Sequence, residues 1–95
     1  MPSTPSTEQA RARLLQSQAA VAAARAAIET ARVTEAQSQR DYNRQKALFE
    51  QGAISQAAWE QAEQAYQLAQ LRLRDAETSL QSAQAGLAQS EASLR

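Results

Sequence analysis

RQKALFEQGAISQAAW, residues 44–59, interrupts an otherwise regular sequence. On either side stand Ala, Gln and charged residues, with large apolar residues at long, even intervals. Inside it a Gly, an Ile and a Ser intervene, and Leu48 sits where the regular spacing places no apolar residue. Whether the chain is one rod or folds back on itself turns on Gly52. It is the only Gly before residue 86, and it suits the left-handed position that ends a helix. Ser55, three residues on, suits the N-cap of a second helix. Ile54 before that cap and Trp59 four after it have the spacing of a hydrophobic staple. The stretch therefore predicts a stop, a tight turn and a restart.

Outward from the turn, both flanks carry heptads. Downstream, Trp59, Tyr66, Leu73, Leu80, Leu87 and Leu94 are each seven residues apart, and Ala62, Ala69, Ala76 and Ala83 follow the first four by three. The fifth such position is Ser90. This is an a/d repeat with bulk at a and a small residue at d. Upstream, Leu14, Val21, Ile28, Tyr42 and Phe49 share one phase, broken by Glu35. Their partner positions are Ser17, Ala24, Ala31, Ser38 and Gln45.

Folding the chain about Gly52 sets a of one helix beside d of the other. Facing residues then have position numbers that add to 104. Gln45 meets Trp59, Tyr42 meets Ala62, Ser38 meets Tyr66, and Ile28 meets Ala76. Further out, Val21 meets Ala83, Ser17 meets Leu87 and Leu14 meets Ser90. Nearly every layer sets one large residue against one small one, which fills space and brings the helices close. Two repeats that mirror each other in phase and in size predict an all-α fold, an antiparallel two-helix coiled-coil hairpin. The expected organisation is a tail and cap over 1–6, helix 1 over 7–50, a tip turn over 51–54 and helix 2 over 55–95. Pro5 would fall at the first helical position, and Ser6 with Gln9 has capping-box spacing. Glu35 faces Ala69, and the small partner leaves room for its stem to reach solvent. Gly86 falls inside the second helix away from the seam, and the pattern does not account for it.

Composition agrees. Apolar residues make up 43% of the 95, but many are Ala, and aromatics are 4%, too few large side chains for a compact globule. Strand formers never alternate over a useful length, whereas Ala, Gln, Arg, Glu and Leu all favour helix. The net charge of zero speaks against a nucleic-acid binder, which needs a basic surplus. The first half leans basic and the second acidic. With no Cys and no His, thiolate metal sites and the commonest acid–base group are missing. Scattered carboxylates on solvated faces give no reason to expect an enzyme, and neither a cofactor nor a metal is expected. No apolar run has the length of a membrane span, and MPSTPSTEQ has neither the basic nor the apolar region of a signal peptide. The narrow, half-alanine seam also differs from the broad bulky face of a membrane-surface helix.

Val33, Leu48, Leu68 and Leu71 stand off the seam. Val33 and Leu71 again add to 104, so they share a height, and Leu68 is one turn from Leu71. This suggests lateral contact with a neighbouring hairpin. Arg44 and Leu48, four apart, share a face just below the turn. Taken alone, Arg44 reads as solvated, Leu48 as covering the turn and Ser55 as a cap; turn chemistry accounts for Gly52, Ile54, Ser55 and Trp59 but not as well for Leu48.

At these residues the chain resembles a known family. Arg44, Leu48 and Ser55, in the frame YNRQKALFEQGAIS, look like the Arg-Leu-Ser tip motif of periplasmic adaptor proteins, also called membrane fusion proteins, of tripartite efflux pumps and type I secretion systems. The returning QAAWEQAEQAYQLAQLRLRDAETSLQSAQAGL is similar to that family's second hairpin helix. The resemblance covers nearly the whole chain but only the hairpin of such a protein, without its lipoyl-like and β-barrel domains. It implies a parent in the periplasm of a Gram-negative bacterium, anchored to the inner membrane beside a transporter. Adaptor rings, commonly of six, would align their hairpins, and the tips would dock on a TolC-like outer-membrane channel. Arg44 would donate hydrogen bonds to channel carboxylates or carbonyls, Leu48 would give apolar contact, and Ser55 would add a polar one. The competing reading is a structural coiled-coil spacer whose tip contacts nothing in particular.

Overall fold

The computed structural model describes the backbone of residues 3–94 and the side chains of residues 7–94. It contains two long helices, α1 (Ser3–Glu50) and α2 (Gln56–Ser93), and forms the antiparallel hairpin that the two mirrored heptads predict. α1 begins at Ser3, earlier than the expected residue 7. The first four amides of a helix have no intrahelical acceptor, so Pro5 is accommodated in the first turn without losing a bond. The expected Ser6–Gln9 capping box lies outside the described side chains. α2 ends at Ser93 rather than running to 95, and the Leu94 N–H closes the last turn on the Glu91 carbonyl at 3.2 Å.

Exposure follows the heptads residue by residue. From Ala10 to Phe49 on α1, and from Trp59 to Ser90 on α2, every a and d position is buried or half-buried. Val21, Ile28 and Ala69 are the most enclosed, at 8, 6 and 4% exposure. No large side chain among the described residues is fully buried. That is the expected condition of two helices sharing one seam, each with half its circumference in water.

The chain divides into two compact units. One, Ile28–Asp75, contains the turn and all four aromatic residues. Their rings form a continuous ladder drawn alternately from the two helices. Trp59 stacks on Phe49 at 5.9 Å between centroids and 5° between planes. Tyr42 lies 4.9 Å from Trp59 on one side and 5.1 Å from Tyr66 on the other. Tyr42 and Phe49 flank Gln45 by one turn each, so the indole occupies the height at which it was expected to face Gln45. Each ring reaches diagonally to the next layer, which a strict one-to-one pairing does not anticipate. Glu35 is half-buried in this unit's seam, and Ala69 is among its most enclosed residues.

The other unit comprises the residues up to Ala27 together with those from Ala76. Its seam is aliphatic, with Leu14, Val21, Leu80 and Leu87 against Ala and Ser. One contact is polar: the Ser17 and Ser90 hydroxyls share a part-buried hydrogen bond of 2.7 Å. Ser17 was expected opposite Leu87 and Ser90 opposite Leu14, so this bond too runs diagonally between adjacent layers.

Candidate functional site

The turn is built almost wholly by backbone. Gly52 has φ +73°, in the left-handed region that a Cβ disfavours. Its N–H donates to the Phe49 carbonyl at 2.9 Å, and the Ala53 N–H donates to the Leu48 carbonyl at 2.8 Å. Those two bonds make a Schellman motif and occupy carbonyls that the end of α1 would otherwise leave open. At the start of α2 the Ala58 N–H donates to the Ser55 hydroxyl at 3.1 Å, and the Trp59 N–H to the Ser55 carbonyl at 3.1 Å. Ser55 is thus the N-cap, as the sequence indicates. Ile54 and Trp59 are both half-buried at the staple positions. In the first turn of α2 the Gln56 side-chain amide donates to the Glu60 carboxylate at 3.0 Å.

The three tip candidates divide by environment. Arg44 is exposed and donates to Asp41, one turn earlier, at 3.0 Å, with 63% of its side chain accessible. An exposed pair of this kind contributes little to stability and leaves most of the guanidinium's donors open. Ser55 is exposed, with its oxygen engaged as a cap. Leu48 is half-buried and holds the third position from the end of α1, the residue whose side chain commonly covers a Schellman turn. The turn therefore gives Leu48 a local role that heptad spacing alone does not reveal. Beside the turn an open groove of about 410 Å³ runs along the unit, lined by Ser38, Asp41, Gln45, Ala58, Ala62 and Ala65 among others.

The lateral candidates are exposed, Val33 at 60%, Leu68 at 46% and Leu71 at 52%. They do not make one patch. Val33 is five residues beyond Ile28, and Leu71 five beyond Tyr66. At 100° per residue each therefore points away from the partner helix, on opposite flanks of the unit. Leu15, 67% exposed next to the seam residue Leu14, is a further apolar surface residue. It adjoins a seam position, but its own heptad place is an outer one.

Among the described residues no group of His, Cys, Asp or Glu could hold a metal, and no helix is long and apolar enough to cross a membrane. No family model matches the chain, and no curated protein or solved structure matches it significantly.

Proposed function

We propose that this hairpin is the docking arm of a periplasmic adaptor, joining an inner-membrane transporter to a TolC-like outer-membrane channel for efflux or secretion. The observation that supports this reading is the pairing of a rigid turn with an open cation. Four backbone and capping bonds fix Gly52, Ala53, Ser55 and Ala58, while Arg44 stands mostly in solvent on the same unit. A preorganised end with an exposed guanidinium suits recognition of carboxylates or helix-terminal carbonyls, because little order remains to be imposed on binding. Exchange of one weak partner, Asp41, for a channel carboxylate asks little of the free arm.

The arrangement of Val33 and Leu71 favours a particular mode of self-association. Apolar residues at one height on opposite flanks allow the α1 flank of one copy to meet the α2 flank of the next. Val33 would lie beside Leu71, and Ala36 beside Leu68. Such a contact is heterologous, and it closes into a ring or runs on as a filament.

Binding to a purified TolC-like channel in lipid nanodiscs, followed by surface plasmon resonance, tests the docking. The chain should bind, and Arg44→Asp should weaken binding by about tenfold or more with the circular dichroism unchanged. The spacer reading is favoured by the completeness of the caps, which account for the turn with no partner at all. It is the outcome if the unaltered chain does not bind, or if Arg44→Asp binds as well.

A further inference from the structure

The two units close their seams by different chemistry. In Ile28–Asp75 the seam carries four rings in mutual contact and is tied off by a capped turn. Aromatic side chains bury more area than aliphatic ones, and each ring pair adds to what burial alone provides. The short turn also holds the two helices together, so little chain entropy is gained if a nearby layer opens.

The unit beyond Ala27 and Ala76 has none of these devices. Its seam has no ring, and two adjacent layers are bridged by the Ser17–Ser90 hydroxyl pair. That bond stabilises little, because water replaces it once the helices part. An open groove of about 390 Å³, lined by Arg13, Ser17, Ala20, Ser90 and Ser93 among others, runs beside the pair and gives water a route to it. Gly86 weakens α2 in the same unit. A Cβ built there meets nothing within 4 Å, so no close approach within the chain compensates for the missing side chain. Ser at two seam positions lowers helix propensity further relative to Ala.

We infer that the hairpin is a zipper of unequal halves. The seam around Val21 and Ala83 opens as a local, reversible event while the aromatic half and its turn stay folded. This is a built-in conformational device: the end bearing Arg44 and Ser55 keeps its geometry while the other end yields. The inference rests on the seam chemistry alone and is independent of the docking proposal.

Native-state hydrogen exchange on the full chain, resolved by residue, tests it. The amides expected to exchange faster lie about three turns or more from any helix end, whereas Gln45 and Ala62 of the slower group lie nearer to one, so fraying would work against the expected order. Those around Val21, Ala24, Leu80 and Ala83 should exchange at least about tenfold faster than those around Tyr42, Gln45, Ala62 and Tyr66. Replacing both hydroxyls, Ser17→Ala with Ser90→Ala, should slow the first group and leave the second unchanged. Far-UV circular dichroism should begin to fall at a lower temperature than the Trp59 fluorescence transition. Equal exchange in the two groups, a reversed order, or coincident melting transitions would overturn the inference.

Discussion

The Tyr42 and Trp59 rings, one from each helix, lie 4.9 Å apart and tilted by 36°, and they are the central contact of the aromatic ladder. Trp59 also stacks on Phe49, so a single indole joins two turns of α1. Removing it separates Tyr42 from Phe49 and leaves a gap beside the turn. Trp59→Ala should cost about 2–3 kcal/mol, near the low end for large aromatics because the indole is only half-buried. Trp59→Phe should recover more than half of that, since a ring of similar shape can still stack. Chemical denaturation with a helix readout gives both values, and a cost below about 0.5 kcal/mol would deny the ladder any part in stability.

The two glycines should respond to alanine with opposite signs. At Gly52 a Cβ meets nothing within 4 Å, so the penalty comes from the backbone alone. An L-residue held at φ +73° should destabilise the chain by about 1 kcal/mol. At Gly86 the space is equally open, but the backbone is helical. Gly86→Ala should therefore stabilise by about 1 kcal/mol. Paired melting curves decide it, and a destabilising Gly86→Ala would mean that the position is reserved for close approach by another molecule.

Glu35 is the one charged residue at an a position of either helix, opposite the small and well-enclosed Ala69. Every neighbouring layer sets a large apolar residue against a small one. Glu35→Leu restores that rule and should raise stability by about 1–2 kcal/mol. The same change removes a device that disfavours parallel pairing of two α1 helices, in which two Glu35 carboxylates would face each other. Sedimentation velocity should accordingly show more self-association than the unaltered chain. A variant that is no more stable and self-associates no more than the unaltered chain would mean that the Glu35 stem already fills its layer.

Much of this was legible before any coordinates, and the reasons are particular. Sum-to-104 pairing was readable because large and small residues alternate across the seam, so a half-heptad slip of either helix sets large against large, and the turn at Gly52 selects among whole-heptad registers. Gly52 and Ser55 were readable because each meets a demand that few residue types satisfy, a positive φ and a capping oxygen. The ladder was not foreseen, because rings reach beyond their own layer and the pairing rule treats each layer as closed. Leu48 as a cover of the turn was one of the readings its place allowed, but its exact position in the cap depends on which carbonyls the turn engages, and heptad counting carries no information about that. Val33 and Leu71 share a height, and height alone suggests one cluster. Height is one coordinate of a helix surface and the angle about the axis is the other, and that angle puts them on opposite flanks.

Ser55 offers a way to separate folding from docking. Its hydroxyl caps α2 by accepting from the Ala58 N–H, so Ser55→Ala should cost about 1 kcal/mol wherever stability is measured. Aspartate caps as well as serine and its charge suits a helix N-terminus, so Ser55→Asp should match or exceed the original stability. The residue is exposed, and the new carboxylate would stand at the end proposed to meet channel carboxylates. Channel affinity should therefore fall for Ser55→Asp although the fold is intact, and fall less for Ser55→Ala although the fold is weaker. Inverse ordering of stability and affinity in these two variants is the signature of a tip that touches its partner. If affinity instead tracks stability, Ser55 serves α2 alone, and the contact belongs to Arg44 or lies elsewhere.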